Sequence, residues 1–142
     1  MHNNRILSLI LILAVLGTML TACSTGEAET DETKVSASDL ISGKPQNVPI
    51  PGMVTMVDVG AHKCIPCKMM TPIIEELSQE YAGRAAIAFI DVWEHREEAA
   101  KYGVRSIPTQ IFYDSNGKEQ YRHTGFLSKK DIVSKLKELG VE

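Results

Sequence analysis

The chain has little that would hold a polyanion or staple a miniature fold. Its 15 basic residues are outnumbered by 18 acidic ones, for a net charge of −3, which excludes a generic electrostatic nucleic-acid binder. Aromatic residues make up 6 %, with a single Trp, too few for a platform on which single-stranded bases stack. Three Cys in 142 residues are too few, and odd in number, for a disulfide-stapled scaffold. Long uncharged hydrophobic stretches occur in one place, the N-terminus. What remains is 44 % hydrophobic and 23 % charged over the length of one ordinary domain. That composition builds a globular core and excludes a disordered or collagen-like chain.

The N-terminal stretch reads as an address. Met1 to Arg5 carries one fixed positive charge, and Ile6 to Leu20 is uncharged and mostly Leu and Ile, the layout of a secretory signal peptide. A retained transmembrane helix is the rival, but such a run spans roughly 22 Å at the rise of an α-helix, short of a hydrocarbon core of ~30 Å. Leu20-Thr21-Ala22-Cys23 resembles the lipobox of bacterial lipoproteins. That resemblance implies removal of residues 1–22, a diacylglycerol on Cys23 and an acylated new N-terminus. The protein is then expected in the bacterial cell envelope, held to the lipid bilayer and facing outside the cytoplasm, in the periplasm or on the outer face of the cell membrane. Two or three acyl chains anchor stably where one does not.

Ser24 to Gly43 holds Glu27, Glu29, Asp31, Glu32 and Asp39 against Lys34 alone, with almost nothing apolar to bury. From Lys44 onward, 13 basic and 13 acidic side chains balance, so the acidity lies in this stretch. Residues 23–50 are therefore expected to be a lipidated Cys followed by a flexible acidic linker, with a short helix starting near Ser38, and residues 51–142 to be the folded domain.

Within that domain Met53 to Val59 predicts a strand. Ile65 to Tyr81 predicts a helix, with Met69, Ile73, Leu77 and Tyr81 as its core stripe, Met70 and Ile74 beside them, and a kink at Pro72. Ala85 to Ile90 is nearly all apolar, as in a strand covered on both faces. Glu97 to Tyr102 predicts a short helix closed by Gly103. Thr109 to Tyr113 and Glu119 to Thr124 predict strands joined through Asp114-Ser115-Asn116-Gly117. Ser128 caps a last helix bearing Ile132, Leu136 and Leu139. This order predicts an α/β fold, a central mixed sheet flanked by helices and closed by an antiparallel hairpin.

Cys64-Ile65-Pro66-Cys67 falls between the first strand and the long helix. Two Cys so spaced at a helix start share one turn. Unpaired N–H groups and the helix dipole there favour a thiolate, and Lys63 and Lys68 flank the pair. Cys64, first in the helix, is expected to be the exposed attacking thiol and Cys67 the more buried resolving one. Pro66 suits a first turn because it lacks an N–H. Half of a zinc site is a poor alternative, since structural zinc takes about four ligands and only His62, His95 and His123 remain in the domain. A passive disulfide closing so small a loop stabilises little. Cu(I) binding through the pair with Met53, Met56, Met69 and Met70 is a further alternative, although Met69 and Met70 also suit the core stripe of the helix.

From about Val54 to Leu139 the chain resembles thioredoxin. The resemblance rests on Val57-Asp58 before the motif, Cys64-Ile65-Pro66-Cys67-Lys68-Met69, Pro72, Lys101 through Thr109 with Ile107-Pro108, Asn116-Gly117, Gly125, and Leu127-Ser128-Lys129. It implies a thioredoxin fold and a thiol–disulfide oxidoreductase whose redox group is the Cys64–Cys67 disulfide, with no other cofactor and no metal. It implies that Asp58 is the buried base for Cys67. It implies that Pro108 is a cis-proline facing the disulfide, and that Ile65, Pro66, Ile107 and Pro108 meet the substrate. The implied partners are protein disulfides and a membrane thiol electron donor, with no nucleic acid, and the implied state is a monomer. Pro66 at the third motif position resembles the reducing members; an oxidase or isomerase on the same scaffold is the alternative. The chain departs from the family where Lys63 and Gly60 replace Trp residues, where Ile65 replaces Gly, and where Phe89 falls at or near a Lys close to the buried acid.

Overall fold

The hub of the structure is β1 (Thr55–Gly60), every residue of which is buried. This computed structural model describes residues 36–142; the signal segment 1–22, the lipidation residue Cys23 and the linker up to residue 35 lie outside the described residues. On one side β1 pairs in parallel with β2 (Ala86–Asp91). On the other it pairs antiparallel with β3 (Thr109–Tyr113), which pairs antiparallel with β4 (Glu119–Thr124). The order β2-β1-β3-β4 makes a mixed sheet, as the sequence predicts.

Side chains alternate across a strand, and β1 shows the consequence. Met56 joins Ile87, Phe89 and Phe112 in a core with Met70, Ile74 and Leu77 of α2 (Ile65–Glu80) and Ile132 and Leu136 of α4 (Lys129–Glu138). Val57 and Val59 face the other way, onto Ala88, Ile90, Tyr102, Val104 and Ile111. Helices thus cover one face, and α3 (Arg96–Lys101) with the chain around it covers the other. At the far edge β4 is polar and mostly exposed, and its charged side chains discourage pairing with another sheet.

Two expectations shift. The linker does not run to residue 50: from Ser36 the chain is part of the fold. Ala37–Leu40 forms α1, Leu40 and Val48 enter the core, and the Gly43 carbonyl accepts the Asp91 N–H at 2.8 Å, capping the outer edge of β2. Three apolar residues at the right places outweigh a polar composition. The stripe of α2 is turned by one residue. Met70, Ile74 and Leu77 are buried, whereas Met69 is 51 % exposed, because the helix starts at Ile65 and Cys67 faces inward. The helix runs on through Pro72 to Glu80. The hairpin and the Ser128 cap form as read. Asp114 Oδ1 accepts the N–H groups of Asn116 and Lys118, Gly117 sits at φ 77°, and Ser128 Oγ accepts the Asp131 N–H at 3.2 Å.

Candidate active site

β1 ends at Gly60, and a short loop carries the chain to Cys64, the N-cap of α2. The Cys64 N–H bonds the Ala61 carbonyl at 3.1 Å and the Cys64 carbonyl accepts from Lys68 at 3.0 Å. With Pro66 in the first turn, Cys64 and Cys67 are joined in a disulfide, their Cα atoms 5.2 Å apart. Cys64 is the more accessible, but by 7 % against 3 %. The expectation of an openly exposed attacking thiol is therefore corrected: in the disulfide state Ala61 and Ile107 pack over the pair. Beside it Ile65 is 79 % exposed and Met69 projects into solvent, an apolar rim around the dithiol.

The Ile107–Pro108 peptide is cis, as the resemblance implies. The Pro108 carbonyl accepts the Gly125 N–H at 2.8 Å, while no backbone hydrogen bond among the described residues uses the Ile107 N–H or carbonyl. Ile107 also lines a groove with Trp93, Arg96, Val104 and Arg105, and Trp93 is 54 % exposed. The sole Trp is thus on the same face of the domain as the Ile107 loop.

Asp58 is fully buried on β1. Burial pushes its carboxyl up to about 7, against the lowering effect of a hydrogen bond from Gln110. Gln110 Nε2 donates to Asp58 Oδ1 at 2.7 Å, and Asp58 Oδ2 has no protein partner. A Cβ placed on Gly60 would stand 3.5 Å from Asp58 Oδ2 and 3.5 Å from Cys67 Cβ. The free oxygen of the acid and the Cys67 Cβ thus both border the space in front of Gly60.

Two contributors escape a reading of the sequence. Gln110 pairs with Asp58 across β1 and β3; its only signal is a polar residue in an otherwise apolar strand, on the same face as Phe112. The other is Asp91. Burial would raise its carboxyl, but hydrogen bonds from the His62 N–H and ring and from the Trp93 and Glu94 N–H groups outweigh this and hold it below the usual range. Its Oδ2 accepts from the His62 N–H at 2.8 Å and from His62 Nδ1 at 2.7 Å. A carboxylate only accepts, so Nδ1 carries the proton. His62 also packs edge-on against Phe89, with centroids 4.9 Å apart. It is exposed, yet it ties the loop before Cys64 to the end of β2.

The copper alternative loses three of its four methionines, since Met56 and Met70 are sealed in the helix-side core and Met53 packs on the opposite face, which leaves Met69 alone beside the pair. His62, Asp91 and Glu94 come close enough to suggest a cation, but that cluster contains neither cysteine, and both Asp91 oxygens are already taken up by hydrogen bonds.

A disulfide at the start of a long helix, beside a cis-proline loop and above a buried acid, belongs to the chemistry of thiol–disulfide exchange. The thioredoxin family profile matches residues 47–138. Over 85 residues the chain is 44 % identical to thioredoxin 2 of Chlorobaculum tepidum, an alignment covering 60 % of this chain and 77 % of that protein. Over 83 residues it is 42 % identical to a thioredoxin of Staphylococcus aureus, covering 58 % and 79 %. The chain belongs to the thioredoxin family. It is a thiol–disulfide oxidoreductase whose redox group is the Cys64–Cys67 pair, and the family acts on protein disulfides.

Proposed function

We propose that this protein reduces disulfides of other proteins outside the cytoplasm, while held to a membrane through an acylated Cys23. The observation that carries the redox part is the Cys64–Cys67 disulfide at the N-terminus of α2 with Pro66 in its first turn. Pro66 at that motif position is shared with the family's reducing members. The location rests on the signal layout and on Leu20-Thr21-Ala22-Cys23.

In the reduced protein the Cys64 thiolate attacks one sulfur of a substrate disulfide. That S–S bond breaks, the first substrate sulfur leaves as a thiolate, and a mixed disulfide with Cys64 forms. Cys67 then gives its proton to Asp58 and attacks Cys64 Sγ. The second substrate sulfur leaves, and two electrons have passed from the dithiol to the substrate. An acid near pKa 7 is matched to this exchange at neutral pH. The unpaired Ile107 N–H and carbonyl would take an extended substrate segment in the manner of an added strand, with Ile65, Pro66 and Pro108 against its side chains. A membrane thiol carrier would return the protein to the dithiol state.

The test is the equilibrium potential of the Cys64–Cys67 pair in the full chain, solubilised in detergent, against glutathione and dithiothreitol buffers. A value of about −250 mV or lower is expected. A value above about −180 mV, the range of isomerases and oxidants, would overturn the reductase reading in favour of disulfide formation or reshuffling.

A further inference from the structure

We propose that Gln110 is a positioning residue of the proton-transfer step, holding Asp58 Oδ1 so that Oδ2 is turned towards Cys67. This inference rests on the reading of Asp58 as the base for Cys67.

The geometry is specific. Gln110 Nε2 grips Oδ1 at 2.7 Å, and both side chains are fully buried. The two buried oxygens this pair leaves without a protein partner are Asp58 Oδ2 and Gln110 Oε1. A carboxyl free to rotate would present either oxygen to Cys67; one fixed at Oδ1 presents Oδ2, the oxygen next to the gap that Gly60 leaves open. An amide is also suited to a group that changes charge. It donates to the ionised carboxylate, and its own oxygen can accept from the protonated acid. A lysine would favour the ionised form alone, and Phe89 occupies the β2 position beside Asp58.

From Asp58 a cavity of about 90 Å³ leads past Thr71 and Phe89 to Glu75 and His62, the last two of which are exposed. Thr71 and Glu75 are one turn apart on α2 and so share a face. The space is large enough for water. The groups facing Asp58 are Cys67, Thr71 and Glu75 from α2, His62 from the loop, Phe89 from β2 and Gln110 from β3. Of these, Cys67, Glu75 and His62 titrate; behind His62 stands Asp91, committed to its hydrogen bonds. Among the described residues no Lys or Arg lines the cavity, and the amide is the one polar side chain hydrogen-bonded to the acid.

The experiment uses the full chain in detergent, with Gln110→Leu and Gln110→Met compared with the parent. Met keeps the length of Gln without the amide. Asp58 is titrated by carbon NMR of its carboxyl, and reduction of insulin disulfides by the dithiol form is timed from pH 5 to 9. Without the amide's donation, the Asp58 titration and the acid limb of the rate are both expected to move from about pH 7 to about pH 8. The rate at pH 7 then falls about fivefold and rejoins the parent near pH 9. A purely structural role would lower the rate evenly across the range. If neither variant moves the titration, or if Leu does and Met does not, the inference is overturned. Asp58→Asn separates the two claims. If its acid limb persists, Asp58 is not the base. If the limb vanishes there yet stays in place in both Gln110 variants, the Gln110 role alone fails.

Discussion

A carboxyl without exposed surface destabilises the fold whenever it ionises, and Asp58 bears that cost at the pH where its chemistry is useful. Its pKa stands near 7 in the fold against an ordinary carboxyl value of 3.8. Below about pH 4 both folded and unfolded chains hold the proton and nothing is lost. Between about pH 4 and 7 the unfolded chain releases it while the fold retains it, so stability falls as pH rises, and the loss is complete above about pH 7. The difference corresponds to roughly 4 kcal/mol as an upper bound. Asp58→Asn keeps an oxygen for Gln110 and removes the charge. Urea unfolding should therefore show it more stable than the parent at pH 8, with the gain fading towards pH 4. An equal gain at both pH values would place its origin in packing and not in ionisation. Legibility at this scale was uneven. The dithiol could be read from its own spacing at a helix start, whereas Asp58 and Pro108 were legible only through the family resemblance. Gln110 could not be read, since its role arises from antiparallel pairing with a strand more than fifty positions earlier in the chain, and Asp91 is the last residue of β2, whose partner, His62, only folding brings near.

At the scale of elements the sequence failed where composition and packing disagree. Ser36 to Ile50 is polar, so its average says linker, yet its structure is decided by Leu40, Val48 and Gly43. The periodicity of α2 was legible, but its phase depended on which side of the first turn Cys67 takes. Gly43 is the most demanding position of the strap that covers β2. It has φ +79°, and a Cβ there would meet His62 Cε1 at 2.8 Å and Phe89 Cε1 at 3.3 Å. Gly52 has nearly the same φ, +77°, with nothing within 4 Å. Gly43→Ala and Gly52→Ala should therefore share the backbone penalty of about 1 kcal/mol. Only Gly43→Ala should add a steric cost of about 1–3 kcal/mol and faster hydrogen exchange at the His62 N–H, as the loop before Cys64 loosens. Equal losses for the two variants would mean that the strap does not press on that loop.

For the molecule as a whole the proposed membrane attachment raises the question of its means. From Lys44 onward the charges balance, and the stretch before it is acidic, so neither offers the basic cluster that anionic lipids attract. Among the described residues no helix is long and apolar enough to cross a bilayer. The remaining means lie at the N-terminus: the run Ile6 to Leu20 kept in place, or acyl chains on Cys23. In the proposed lipidated form the dithiol would meet its substrates and its electron donor close to the lipid surface. Intact-mass measurement of the protein extracted from bacterial membranes decides between the two means. Acylation predicts a chain that begins at Cys23 and carries the mass of two or three acyl chains, and that stays with the membrane in molar salt, since about 0.8 kcal/mol per buried CH₂ is insensitive to screening. A mass that includes residues 1–22 with an unmodified Cys23 would make the hydrophobic run itself the anchor. A shortened chain with a free Cys23 thiol would leave the protein unattached, and its partners would then have to be sought in solution.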